Sequence, residues 1–461
     1  MSSPMRITTI RSEGISALSY FVSSEQQGIV IDPRRDASIY NELALREDVE
    51  ILYIFETHRN EDYVIGSLEL QSMVPNAEIG HSDATNFHYG ELSLADGETF
   101  KVGKMHITCL NTPGHTNDSM CYIISDREDA SEPIVAFTGD TLFVNEVGRT
   151  DFVDMSKHAL MSQKLYDSLH GKILQLGDGV IIHPGHGAGS VCGGAIGDRE
   201  FSTIGFERSN NVWLKMSEDD FIESKIKQEL TLAPYFKHCE LLNTKGPPVL
   251  SAGVAPQELD LASFETLLSN PNHVVLDTRS PTEFLNRQIP RTISMSLTNM
   301  GLIAGWILKP SQSISLILRN REYLGEAWSY LVRLGFDNVV GFLENGITSW
   351  IESGRATTSI KTISIDDLKI QLDNRTLLVV DVRESHEYKL EHIKDSISLP
   401  LTRLVDTAPS LKFDRTIATL CPSGFRSTTA ASILSRNDIT NILAPSEGFK
   451  GWTARGLPTE E

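Results

Sequence analysis

The stretch ILYIFETHRNEDY, Ile51 to Tyr63, decides the reading of the first half of the chain. It begins as a β-branched and aromatic run, the composition of a buried strand. It then turns polar at His58-Arg59-Asn60-Glu61-Asp62-Tyr63. Upstream, SALSYFV (from Ser16) and GIVIDP (from Gly28) read as further strands, each ending in turn or polar residues. Downstream, TPGHT carries His115, FTGDT carries Asp140, and HPGHG carries His183 and His186. Ligand-type residues at the ends of apolar strands are well placed to share one site. A helical pattern, SKHALMSQKLYDSL, lies between the later runs.

The chain has 461 residues, a length that predicts about three domains. Its net charge of −20 disfavours nucleic acid and anionic membranes as partners. Hydrophobic residues form 40% of it, enough for ordinary cores and too many for wholesale disorder. No apolar run reaches the roughly 18 residues that span a bilayer. The start, MSSPMRITTIRSEG, lacks the apolar core of a secretory signal, so the expected location is the cytoplasm. Cys109, Cys121, Cys192, Cys239 and Cys421 are odd in number and widely spread, which is no disulfide framework.

Periodicity breaks in NTKGPPVLSAGVAP (from Asn243), read as a linker. An internal repeat follows it. VVLDTRSPTEF (from Val274) echoes VVDVRESHEY (from Val379), and IPRTISMSL (from Ile289) echoes IKDSISLPL (from Ile393). GITSW (Gly346 to Trp350) echoes GFKGW (Gly448 to Trp452). Two copies of one small parallel α/β fold are expected. The boundaries are placed at 1–245, 246–357 and 358–461.

The four ligand-bearing loops, in this order, resemble the metallo-β-lactamase superfamily over most of residues 1–245. The resemblance implies an αββα sandwich, within an α/β multidomain chain. The usual first motif of that family is His-x-His-x-Asp-His and serves two zinc ions. Here Asn60 stands at the second His and Tyr63 at the third, so a dinuclear site would lose one ligand from each metal. His58, His115 and Asp140 survive, two imidazoles and one carboxylate. That is the facial triad of non-haem Fe(II) oxygenases, with open positions for substrate and O2. One branch of the superfamily, the persulfide dioxygenases, binds a single iron in this way, and it resembles this chain at GRTDF (Gly148 to Phe152) too. The resemblance implies one Fe(II) per chain. Asp62, Tyr63 and His186 are expected to orient the ligands by hydrogen bonds, and His183 to pack in the core. Arg149 is read either as a grip on the substrate carrier or as a salt bridge to Asp151. Cys192, in GHGAGSVCGG, either presents a thiol to the substrate or is a buried small hydrophobe. Cys109 and Cys121 are read as core.

In the last segment, TIATL runs to Cys421, then Pro422-Ser423-Gly424-Phe425-Arg426, then a helical pattern. Strand, tight loop and helix N-terminus form a site for a negatively charged sulfur, because backbone N–H groups and the helix dipole stabilise a thiolate. Arg426 adds a fixed charge. Tyrosine-phosphatase-type loops have five residues between Cys and Arg. The four here suit a persulfide sulfur better than a phosphate. This segment resembles a rhodanese domain, with Cys421 and Arg426 as its catalytic pair and Ser423, Gly424 and Phe425 as substrate-binding residues. The middle copy has no cysteine between Ser251 and Ile360. The equivalent of Cys421 falls at about Ile317 to Arg319, so a scaffold or docking role is expected, with Arg319 or Arg321 as a candidate anion contact and Asp277 and Arg279 as fold residues.

Together these resemblances imply a persulfide dioxygenase–sulfurtransferase fusion. Its expected partners are a low-molecular-weight thiol persulfide, O2, and sulfite or thiosulfate, and a homo-oligomer is expected from size alone. Two alternatives stay open. One is a zinc-dependent thioester hydrolase resembling glyoxalase II, fused to a rhodanese. The other is a non-catalytic sulfur carrier.

Overall fold

Strand alternation divides the apolar residues of the first domain between two cores. Along Ala17–Ser24, Tyr20 and Val22 face one way and Phe21 the other, and all are buried. The inward set joins Ile29, Ile31 and Phe55 to Ile107, Cys109, Tyr122 and Phe137, and so packs one sheet against a second. Phe55 and Tyr122 stack between the sheets with ring centroids 4.8 Å apart. Each such buried aromatic contributes about 1.5–3 kcal/mol through area removed from water. The outward set, Phe21, Val30 and Ile54, packs under Tyr40, Leu43 and Ala44 of the helix Ser38–Glu47. On the far face of the second sheet, Ile123, Ala136 and Ile182 pack under Leu165 and Leu169 of the helix His158–Gly171.

The result is an αββα sandwich of two six-stranded sheets, as the sequence resemblance implies. The structure, a computed structural model, describes residues 5–125, 132–152, 155–228, 230–250, 253 and 255–461. Among these residues no helix is long and apolar enough to cross a membrane.

Two compact units are present. One is Met1–Gly253 with Val332–Gly335, and the other is Val254–Leu331 with Phe336–Glu461. The second unit holds both copies of the repeat, each a five-stranded parallel sheet in the same strand order. Register makes the equivalence exact in number. Asp277 pairs with Ile317, and Asp381 pairs with Leu420. The residue after each partner is therefore equivalent, so Leu318 stands where Cys421 stands. The two copies pack together through the helix Phe425–Arg436, where Ser432 Oγ accepts a hydrogen bond from Ser294 N at 3.0 Å.

One expectation needs correction. Asn243, Thr244 and Lys245 are not linker but the last residues of the helix Phe236–Lys245. Asn243 is buried because its side chain has backbone groups to satisfy. Its Nδ2 donates to the carbonyls of Asn60 (2.6 Å) and Tyr63 (2.8 Å), and its Oδ1 accepts from Ile65 N (3.0 Å). Ser251, Ala252 and Val254 of that stretch lie outside the described residues.

Candidate functional site

Each ligand-type residue of the first domain follows a strand. His58 follows Glu50–Phe55, His115 follows Met105–Asn111, Asp140 follows Pro133–Gly139, and His186 follows Ile181–Pro184. Close backbone approach at Gly139 lets the loops converge. Its φ is +47°, and a Cβ there would lie 2.7 Å from the Cβ of Thr57.

The four side chains meet as the strand ends suggest, together with a fifth that sequence reasoning passed over. Ligand atoms of His58, Glu61, His115 and Asp140 all lie within 4.8 Å of one another, and all four residues are buried. His115 Nε2 is 3.3 Å from Glu61 Oε1 and 3.4 Å from Asp140 Oδ2. His115 Nδ1 donates to the carbonyl of Arg149 at 2.9 Å, which turns the Nε2 lone pair inward. On the other imidazole, Thr57 Oγ1 donates to Asp32 Oδ2 at 2.6 Å and lies 2.9 Å from His58 Nδ1. With its proton given to Asp32, the hydroxyl accepts from His58 Nδ1–H, and His58 Nε2 is left bare.

The electrostatics of the cluster agree with a site built for a cation. Burial lowers His58 to about 3, so its imidazole is neutral. Burial opposes ionisation of Asp140, yet His186, His115 and His58 outweigh it and hold that carboxyl well below the usual range. Burial pushes Glu61 upward. His58 Nε2, His115 Nε2, Glu61 Oε2 and both carboxylate oxygens of Asp62 have no hydrogen-bond partner. So many orphaned buried lone pairs in one cluster would be costly alone, and a bound metal satisfies them. The residues present fit a metal.

A second group adjoins the first. Ligand atoms of Asp62, His186 and Cys192 also lie within 4.8 Å of one another. His186 Nδ1 contacts Asp140 Oδ1 at 2.8 Å, and its Nε2 lies 2.9 Å from Asp62 Oδ2 without the alignment of a hydrogen bond. Tyr63 is buried with its ring edge-on to His186, centroids 6.1 Å apart. Cys192 is buried rather than displayed on an open loop, with Sγ 3.6 Å from Glu61 Oε1. Burial, then Asp62, Asp140 and Glu61, push its thiol far up.

The Arg149 guanidinium sits in the salt bridge rather than in an open pocket. It is 1% exposed, grips Asp151 with two bonds of 2.7 Å, and donates to the carbonyl of Val191 at 3.0 Å. Its backbone still orients His115. His183 packs between Tyr20 and Phe137, ring centroids 5.2 and 5.3 Å away. Cys109 and Cys121 lie in the cores. A cavity of about 400 Å³ reaches Glu61, walled by Phe152 and Phe236, with Lys237 and the Arg59–Glu240 ion pair of 2.6 Å on its lining.

In the last domain, Cys421 follows the strand Thr416–Leu420 and precedes the helix Phe425–Arg436. Its sulfur accepts from Gly424 N at 3.1 Å and from Ser427 N at 3.3 Å, and the Ser427 hydroxyl is 3.5 Å away. Gly424 has φ +94°, the left-handed turn that aims its N–H at the sulfur. Arg426 does not stand free beside the cysteine. It forms two bonds with Glu387, at 2.6 and 2.8 Å. Ser423, Gly424 and Phe425 face the cleft between the two copies, in a cavity of about 770 Å³.

Comparison with known proteins gives the class. Residues 13–186 match the metallo-beta-lactamase superfamily, and residues 260–353 and 364–455 each match the rhodanese-like domain. The chain is a metallo-β-lactamase superfamily domain followed by two C-terminal rhodanese-like domains. Its first domain has persulfide dioxygenases among its relatives. It is 29% identical over 212 residues to the mitochondrial persulfide dioxygenase ETHE1 of Bos taurus, covering 45% of this chain and 73% of that one. It is 30% identical over 180 residues to the mitochondrial hydroxyacylglutathione hydrolase of Saccharomyces cerevisiae, covering 36% of this chain and 60% of that one. The crystal structure of a metallo-beta-lactamase from Staphylococcus aureus superposes with a TM-score of 0.65 at 25% identity. The match covers 74% of this chain and 99% of that chain.

Proposed function

We propose that the first domain is a mononuclear Fe(II) persulfide dioxygenase and that Cys421 is the sulfur carrier of a thiosulfate-forming sulfurtransferase. The observation that carries the first half is the pair of bare imidazole nitrogens, His58 and His115, converging with the Asp140 carboxylate. The overall reaction balances as persulfide plus O2 plus water, giving the free thiol, sulfite and two protons. His58, His115 and Asp140 would hold the iron, and Glu61, with a carboxylate oxygen within 4.8 Å of their ligand atoms, could add a further ligand. The iron, when bound, supplies adjacent positions at which both reactants are activated.

The protein's own groups do the rest. Asp32 with Thr57, and the Arg149 carbonyl, fix the two imidazole tautomers. Phe152 and Phe236 shield the approach from water, while Lys237 attracts an anionic carrier, Arg59 being paired with Glu240 at 2.6 Å. At the second site the thiolate of Cys421 attacks the outer sulfur of a persulfide R–S–S–H. The new Sγ–S bond forms as the S–S bond of R–S–S–H breaks, and R–S⁻ leaves. Sulfite then takes that outer sulfur as thiosulfate and restores the Cys421 thiolate. Gly424 N and Ser427 N stabilise the thiolate as attacking and leaving group.

Asp62, His186 and Cys192 favour a second reading, because they could hold another metal as two-metal hydrolases require. The hydroxyacylglutathione hydrolase likeness supports it too. Elemental analysis of anaerobically purified protein tests the two together. About one iron per chain with O2 uptake on persulfide supports the dioxygenase. Two zincs per chain with thioester hydrolysis and no O2 uptake overturns it.

A further inference from the structure

The cleft between the two rhodanese-like copies is too large for the inorganic sulfur compounds that Cys421 would handle. Its volume of about 770 Å³ lies in the roughly 300–1,000 Å³ range of sites for organic ligands. A sulfite or thiosulfate ion would leave most of it as open water. One wall is the Cys421 loop, through Ser423, Gly424 and Phe425. The opposite wall is the loop that replaces it in the cysteine-free copy, through Arg319 and Tyr323. Phe425 and Tyr323, 39% and 40% exposed, present aromatic surface from the two walls. Leu285 and Leu297 extend the apolar lining.

The charge in the cleft is equally specific. Arg279 also lines it, but its guanidinium is committed to Asp277, at 2.6 and 2.9 Å. Arg319 is differently placed. Its side chain is 69% exposed, and its contact with Glu283 is a loose 3.5 Å. It lies one residue beyond Leu318, the counterpart of Cys421. The loop that lost its nucleophile thus brings an exposed cation, only loosely paired with Glu283, to the same cleft as the loop that kept one.

We propose that this cleft binds the organic carrier of the sulfur donor, an anionic low-molecular-weight thiol persulfide, and that Arg319 holds the carrier's carboxylate or phosphate. The proposal rests on the sulfurtransferase reading of Cys421 and assigns the cysteine-free copy a share of that substrate site. Arg319 is a positioning residue: it takes no part in the exchange, and it presents the outer sulfur to Cys421 by holding the carrier's far end.

The test uses the full chain with cyanide as acceptor and four donors: glutathione persulfide, coenzyme A persulfide, uncharged hydroxyethyl persulfide and thiosulfate. Arg319→Ala should raise KM for the anionic organic persulfides about fivefold, the upper end for one exposed charge-assisted contact, while kcat holds. The KM for hydroxyethyl persulfide should move by less than about twofold, since it offers no anion to hold. Arg319→Lys should restore part of the loss. The larger split identifies the carrier group as carboxylate or phosphate. Equal effects on all organic donors, or none, overturn the cleft proposal while leaving Cys421 chemistry standing. No transfer by the unaltered protein from any donor, thiosulfate included, overturns the sulfurtransferase reading and this proposal with it.

Discussion

Thr57→Val should weaken metal binding without touching any candidate ligand. The Thr57 hydroxyl sits between Asp32, at 2.6 Å, and His58 Nδ1, at 2.9 Å. Valine has nearly the same shape, so the tight contact with Gly139 is preserved and no cavity opens. Two things are lost. His58 loses the acceptor that fixes its Nδ1–H tautomer, and partners of this kind are worth roughly 10- to 100-fold in metal affinity. Asp32 keeps only the backbone bond from Thr57 N, at 2.7 Å. Burial already pushes this carboxyl up to about 7, with the Thr57 bonds opposing the shift. A buried acceptor stripped of one partner costs about 1–3 kcal/mol of stability. Anaerobic titration against a competing chelator measures the affinity, and denaturant unfolding of the metal-free protein measures the stability. Thr57→Ser keeps both bonds and should behave as the unaltered protein. Unchanged metal affinity in Thr57→Val would refute the relay from Asp32 to His58.

The remaining predictions concern separate parts of the chain. His58→Ala should abolish O2 uptake on persulfide and spare sulfur transfer to cyanide, while Cys421→Ser should do the reverse. Loss of both activities in either variant would contradict two independent sites. Glu61→Gln removes a carboxylate charge 3.3 Å from His115 Nε2 and should weaken metal binding about tenfold, the scale for groups bordering a metal. Unaltered affinity there would leave Glu61 outside the coordination sphere. Lys225 is lowered from 10.5 to about 8, mainly by burial, with Glu146 opposing the shift. Its folded pKa is below its unfolded one, so the unfolded chain binds the extra proton between pH 8 and 10.5. Its contribution to stability therefore rises with pH across that window, by about 3 kcal/mol. The stability difference between the unaltered protein and Lys225→Met should show that rise, and a flat difference would sink the assignment.

Residues at strand ends were legible because strands announce themselves by composition and their ends point one way. His58, His115, Asp140 and His186 fall there, and the structure brings them together. Glu61 was not legible. It lies inside a loop, at a position the family pattern leaves free, and only the path of the loop swings its carboxylate to His115. Asn243 was invisible for a different reason. It holds Asn60 and Tyr63 from 180 or more positions away, and its Gly-Pro-rich surroundings read as linker. Arg149 illustrates a choice that sequence leaves open: a guanidinium two residues from an aspartate can serve a ligand or a salt bridge, and burial here commits it to Asp151. Cys192 follows the same logic. A glycine-rich stretch suggests an exposed thiol, but the loop folds inward, and burial, reinforced by three carboxylates, pushes the thiol far up.

The cysteine-free copy works as an internal control on the rhodanese motif. It lacks the nucleophile, so whatever motif residues it keeps are kept for another reason. It keeps Asp277 and Arg279, whose bidentate pair repeats that of Asp381 and Arg383. In both copies the arginine also donates to a backbone carbonyl eight residues on, Arg287 and Glu391 respectively. It keeps Trp350, whose indole N–H donates to the carbonyl six residues downstream, as Trp452 does. It keeps Gly346, whose Cβ would lie 2.5 Å from the Leu318 carbonyl, just as one on Gly448 would lie 2.4 Å from that of Cys421. What it loses is confined to the loop. Leu318 replaces the sulfur, and a 3-10 turn, Arg321–Tyr323, replaces the direct entry into a long helix. The Asp-x-Arg pair, the tryptophan and the glycine are therefore scaffold in the active copy as well. The chemistry rests on Cys421 and the two N–H groups that face it, Gly424 N and Ser427 N.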